Sequence, residues 1–357
     1  MKKATVSRLI GIAGLLIFTW PISYSQFDNV EFLRAGAADG VKIVQAYMAP
    51  WTNAFGAGLN GSWYNTAKTH KFGGFDITTS VNVGFVPSSA RTYNVENLGL
   101  TTLSGSGIAP TVAGPDQAGP SLTKTVDGIQ LASFTLPPGT GWKMIPVPTA
   151  QVGIGLPLGT ELKFRYIPRI SIKGSNVSLW GVGLMHSIMQ YIPGNKLSPF
   201  DVSIFGGYTR LQANVPVSLL PDPAVNANFG TFINPGSFET QKMSATLQGW
   251  NVSAIASFTI PIVTFYGGLG YSKTQTQIVL KGNYPTPVLA ATPTPHAEYN
   301  DSGVLSGSQI PSVDIKNFSG LRANIGVRFK LSVVTINLDY TSSQYNVVSA
   351  GLGISFR

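Results

Sequence analysis

The sequence predicts an all-β protein: a transmembrane antiparallel β-barrel with an even number of strands, between ten and fourteen, preceded by a helical N-terminal plug. Three observations carry the prediction. Segments that alternate apolar and polar residues run past ten positions, longer than the roughly 5–6 residues of a soluble strand and matched to the ~9–11 of a tilted membrane strand. Charge is scarce: Lys and Arg number 24 and Asp and Glu 15 in 357 residues, or 11%, against about 25% in soluble domains. Connections are unequal, with tight corners at 157–159, 260–261 and 330–333 and long Gly/Pro/Ser/Thr-rich stretches at 87–140, 214–239 and 282–315. Short turns at one end and long loops at the other are the outer-membrane arrangement. No stretch of 18 uninterrupted apolar residues exists, which excludes spanning helices. The expected location is the outer membrane.

The elements follow in chain order. Residues 1–25 have a secretory layout. Lys2, Lys3 and Arg8 are basic, Leu9–Phe18 is an apolar run too short to span a bilayer, and Ser23 and Ser25 are small residues before a cleavage expected ahead of Gln26. Residues 26–72 form the plug segment. Asp28 caps a helix with Glu31 at capping-box spacing, and Val30, Leu33, Ala37, Val41, Val44 and Met48 make its apolar stripe. Pro50 is expected to end that helix.

The barrel is assigned to 73–357. Phe75, Ile77, Thr79, Val81, Val83 and Phe85 face one way, against Asp76, Thr78, Ser80, Asn82 and Gly84. Leu162, Phe164, Tyr166, Ile170 and Ile172 alternate with Glu161, Lys163, Arg165, Arg169 and Lys173. Ala323, Ile325, Val327, Phe329 and Leu331 alternate with Arg322, Asn324, Gly326, Arg328 and Lys330, and the strands at 334–340 and 348–356 read likewise. Weaker candidates cover 144–157, 176–190, 201–213, 241–259 and 262–281. With Ile129–Leu136 as a further candidate, twelve or fourteen strands stay open. Trp142, Trp180, Tyr191, Tyr208, Trp250, Tyr271, Tyr340 and Tyr345 near strand ends suit interfacial girdles. A soluble sandwich also alternates, but its strands are shorter.

The ending Leu352-Gly353-Ile354-Ser355-Phe356-Arg357 resembles the C-terminal strand that outer-membrane barrels present to their assembly machinery, with Phe356 penultimate instead of last. The stretch Phe55-Gly56-Ala57-Gly58-Leu59-Asn60, Trp63-Tyr64-Asn65-Thr66-Ala67-Lys68 and Gly74-Phe75-Asp76 resembles an uncharacterised family of exported barrels. It is also similar to the FadL-type long-chain fatty-acid transporters. Asn65-Thr66-Ala67 stands where those proteins carry Asn-Pro-Ala, and the Pro is absent. The resemblance implies a luminal plug, including Asp28, Glu31, Asp39, Asn60, Asn65 and Asp76, and a hydrophobic or amphipathic small molecule as cargo.

Lys163, Arg165, Arg169 and Lys173 form one inward basic ladder, and Arg322, Arg328 and Lys330 another. Two readings stay open: cations that favour anions in a pore, or cations paired with Asp28, Glu31, Asp39, Asp76 or Asp339. Catalytic chemistry is not expected. His186 and Ser187 are adjacent on a strand and face opposite sides, so they do not form a nucleophile–base pair. Without Cys there is no thiolate site or lipidated cysteine, no His/Asp/Glu spacing suggests a metal, and no cofactor is implied. The basic charges are dispersed instead of clustered, which argues against nucleic acid. The expected function is a passive transporter or channel, with hydrophobic or amphipathic anionic small molecules as the cargo class; a barrel whose long loops are the working surface is the alternative. Expected partners are outer-membrane lipid, the barrel assembly machinery and amphipathic small molecules.

Overall fold

A computed structural model of the chain describes residues 37–172, 174–192, 199–221, 238–291, 294–315 and 318–356. The leader, Asp28, Glu31 and Lys173 lie outside the described residues. Ten long strands close into a barrel: β1 (Phe75–Phe85), β2 (Met144–Leu156), β3 (Thr160–Ile172), β4 (Ser175–Ser187), β5 (Phe200–Pro216), β6 (Lys242–Ile260), β7 (Val263–Lys281), β8 (Ser319–Leu331), β9 (Val334–Ser342) and β10 (Val347–Phe356). Each pairs antiparallel with its neighbours in sequence, and β1 meets β10 from Phe75↔Phe356 to Gly84↔Val347. Closure leaves the ring without an edge, which is what lets a sheet satisfy its backbone in lipid.

Facing follows the alternation. Ile325 on β8 is 70% exposed and Leu269 on β7 is 71% exposed, whereas the inward Asn82, Ser203 and Ser349 are fully buried. A wall that is apolar outside and polar inside is the inverse of a soluble barrel and requires hydrocarbon around it. The protein is an outer-membrane barrel. The strand count settles at ten because Ile129–Thr135 pairs with Ser121–Val126 in a separate small sheet outside the ring.

The turn end holds the corners 157–159, 188–199, 261–262 and 332–333; the loop end holds 86–143, 217–241 and 282–318, together with the tight corner before β4 and the short one before β10. The described parts of the long loops pack into a dome with its own core. Val112, Leu219, Met243, Ile278, Tyr284, Ile310 and Val313 form one buried cluster, and Val95, Leu103, Leu122, Phe134 and Leu136 another.

The helix α1 (Ala37–Leu59) departs from expectation, since it continues through Pro50. Proline removes one amide donor and tends to bend or break a helix. Here the following turn is held by packing: Ala54 and Ala57 are buried with Val86, Ile145, Phe318 and Val347. Tertiary contacts on both sides of Pro50 keep the helix going.

Candidate functional site

The N-terminal segment runs through the lumen from the loop end to the turn end. At the top, Asp39 of α1 accepts from the backbone amides of Thr101, Thr102 and Leu103 at 2.7–3.2 Å. Burial pushes the Asp39 carboxyl up, but these amides and the Thr101 and Thr102 hydroxyls bring it below its usual range. Tyr47 donates to Pro138 O at 2.8 Å, and burial pushes its phenol up to about 12. Lower down, a Cβ on Gly84 of β1 would stand 2.2 Å from Ala54 O, and one on Gly58 would stand 2.6 Å from Val147. The helix can lie this close to the wall only because those positions lack side chains.

Below the helix the segment is irregular and its backbone is held by the wall. Arg165 of β3, fully buried, donates from Nη1 to Leu59 O at 2.7 Å and from Nη2 to Gly61 O at 2.6 Å. Its Nε reaches Gln151 at 3.2 Å, and its guanidinium lies 3.7 Å from the centre of the Trp63 ring. Arg322 of β8 donates to Asn60 O at 2.6 Å and to Thr341 Oγ1 at 3.2 Å. Three successive carbonyls at the end of a helix, where the macrodipole is negative, are thus bound by two cations. Further down, Tyr64 donates to Asn324 at 2.7 Å, and Ser257 Oγ accepts from the Ala67 amide at 3.0 Å.

At the turn end His70 ties the segment to two strands. Its amide donates to Glu161 Oε2 at 2.9 Å, its Nδ1 lies 2.9 Å from the same oxygen, and its Nε2 lies 3.1 Å from Ser355 Oγ on β10. Lys163 bonds the other Glu161 oxygen and stands 3.8 Å from Asp76. A Cβ on Gly153 would fall 2.3 Å from Asp76 Oδ1, so glycine makes room for the carboxylates. Donor atoms of His70, Asp76 and Glu161 lie within 4.8 Å of one another, a spacing that fits a metal. The Lys163 ammonium already supplies the positive charge there.

The inward cations divide. Lys163, Arg165, Arg322 and Arg328 are buried inside the wall. Arg169 does not join them. The β3–β4 register slips between Ile167↔Leu179 and Ile170↔Val177, so three steps on β3 match two on β4. One extra residue reverses every later face, and Arg169 is exposed with its Nε donating to Asn176 on the outer wall at 3.2 Å. Lys330 is half-buried at the turn end, its amide bonded to Ile262 O at 2.8 Å. Of the carboxylate pairings open in the sequence, Lys163 makes the one with Asp76, on the wall, at 3.8 Å; Asp39 serves the dome, and Arg165 and Arg322 hold backbone carbonyls instead. Asn60 is buried against Gly249, Asn65 is half-buried, and Phe356 is outward, its ring 5.0 Å from that of Phe75. Sequence reasoning missed the His70–Glu161 tie, whose members lie 91 residues apart. It also missed Trp63 and Tyr64 as a luminal core with Met185, Phe205 and Tyr266.

Residues 1–356 match the model of a family of unknown function, DUF6588. The chain belongs to that family. No curated protein matches it. Among solved structures, the attachment invasion locus protein Ail of Yersinia pestis is similar at 10% identity and a TM-score of 0.25, covering 80% of this chain and 99% of Ail. The toluene transporter TodX of Pseudomonas putida shows 8% identity and a TM-score of 0.26, over 87% of this chain and 93% of its own. A FadL homologue of Pseudomonas aeruginosa shows 11% identity and a TM-score of 0.21, over 85% and 96%. For this DUF6588 member, the fold stands on ring closure and on the inverted facing of its own wall.

Proposed function

We propose that this barrel is a gated passive transporter for small amphipathic anions, with the segment ending at residue 72 as its plug. The observation that carries the reading is the clamp of Arg165 and Arg322 on the carbonyls of Leu59, Asn60 and Gly61. These are polar bonds, and water replaces polar bonds at little cost once it enters. When the plug moves aside, the same guanidiniums, with Lys163 and Arg328, face an open lumen and focus a positive potential in low-dielectric walls. Planar-bilayer recording tests it: the native barrel is expected to be mostly silent, and R165Q/R322Q to conduct. Conductance in the native protein equal to that of the variant defeats the gate.

The dome favours a second reading, a barrel whose loops are the working surface, because it is packed around buried apolar cores instead of being left open. The path of α1 offers a separate check. Its first turn is bonded to the loop end, so an epitope inserted ahead of Ala37 is expected to be reached by antibody on intact cells.

A further inference from the structure

The outer wall carries a feature that the lumen does not explain. On β4, β5 and β6 the outward rings of Trp180, Tyr208 and Trp250 form one cluster, with centroids 5.4 Å and 4.5 Å apart. Such aromatics mark the membrane–water boundary. Three cations share that level and face. Arg210 stands opposite Trp180, and Lys273 stands opposite Trp250. Arg169 is turned outward by the β3 bulge. Arg210 Nε is shielded from solvent and has no hydrogen-bond partner among the described residues. None of the three is within ion-pairing distance of a described carboxylate. The opposite wall is different: the outward positions towards the loop end of β8, β9, β10 and β1 include Ser319, Leu321, Tyr340, Val348 and Val83, and none of these is Lys or Arg. Cations needed only for anchoring would ring the barrel.

A second tier lies above. Lys242 and Lys281 face each other directly across β6 and β7, a like-charge pair that is unfavourable without an anion. Eight residues separate Lys273 from Lys281, about 27 Å along the strand and roughly 20 Å in height at the usual tilt. A headgroup layer is only about 5–8 Å thick on each side, so a phospholipid reaches the lower tier alone. Carboxylates near this upper tier among the described residues include Asp314, which accepts from Gln277 at 3.0 Å, and Glu239 ahead of β6.

We infer that Arg169, Arg210 and Lys273, with Lys242 and Lys281 above them, bind the phosphates of a glycolipid in the leaflet at the loop end, one phosphate group near the acyl anchor and another on its saccharide. Arginine and lysine are the usual phosphate receptors.

Native mass spectrometry of the full barrel after detergent exchange tests this, with rough-type lipopolysaccharide, bare lipid A, phosphatidylglycerol and inorganic phosphate as probes. The native protein is expected to retain the first two. R169Q/R210Q/K273Q is expected to lower retention of both at least tenfold, and K242Q/K281Q to weaken only rough-type lipopolysaccharide, the form that carries core saccharide beyond lipid A. Lys71→Gln, at the turn end, is the control that changes neither. If the triple variant does not give a heat-modifiable folded band, R210Q alone is titrated with salt, and a shallower salt dependence than the native protein is expected. Equal retention by the variants, equal retention of phosphatidylglycerol, or the same occupancy by inorganic phosphate overturns the proposal.

Discussion

Pro50 divides one helix between two kinds of surroundings. Above it, Ile43, Val44, Tyr47 and Met48 are buried among apolar loop side chains. Each such side chain stabilises by about 1.5–3 kcal/mol when fully buried, and water cannot substitute for that. Below it, apolar packing continues at Ala54, Ala57, Leu59, Trp63 and Tyr64, but it is mixed with the cation–carbonyl bonds, and several buried polar atoms lack a protein partner: both side-chain atoms of Asn60, Ser62 Oγ, Trp63 Nε1 and, on the wall, Asn82 Oδ1. Unsatisfied groups of this kind are costly unless water reaches them. The upper half is therefore fastened mainly among apolar loop side chains, and the lower half by packing interrupted by polar bonds that solvent can exchange. Any movement of the segment should begin below Pro50 and leave the dome in place.

The largest expected effect comes from removing the clamp. R165Q/R322Q leaves Leu59, Asn60 and Gly61 without cationic donors, a loss of about 1.5–3 kcal/mol for each charged hydrogen bond. Proteolysis should then cut within 60–72 while α1 above Pro50 stays protected. Cleavage in the dome first, with 60–72 intact, reverses the comparison.

That division was only partly legible in the sequence. Strand positions, their two faces and the even count follow from period-2 alternation, because lipid and lumen impose opposite requirements on successive residues. Arg165 and Arg169 show where this stops. They share a face by parity, yet one clamps the lumen and the other points outward, because a bulge near Pro168 has no signature in polarity alone. Pro50 misleads for a related reason: local propensity ends the helix there, and packing of Ala54 and Ala57 overrides it. The His70–Glu161–Lys163 group depended on register across the ring, which no spacing encodes.

A smaller effect should come from the point where helix and wall touch. Gly84→Val places a side chain where the Cβ alone would stand 2.2 Å from a backbone oxygen of α1. Overpacking of this sort costs about 1–3 kcal/mol, and the backbone here has no flexible tip to yield. The expected outcome is a lower thermal midpoint together with raised leakage, because the lower helix must retreat from β1. An unchanged midpoint would mean that the helix shifts freely even above the clamp.

The most local effect, confined to the dome, tests the upper half. Asp39→Asn replaces an acceptor-only carboxylate with an amide whose NH2 group faces donors from Thr101, Thr102 and Leu103, and about 1–3 kcal/mol of local stability is expected to go. The pH dependence has a fixed sign. Because the folded carboxyl titrates below its usual value, its stabilisation is complete above about pH 4 and is lost as pH falls through the lower folded value. Limited proteolysis of the 87–140 loop measures both: the native dome should resist at neutral pH and open progressively under acid. The Asp39→Asn variant should be partly open at neutral pH and lose that acid response. A native dome that opens under acid no differently from the Asp39→Asn variant would show that apolar packing alone fastens α1, and would sharpen the contrast with the lumen beneath it.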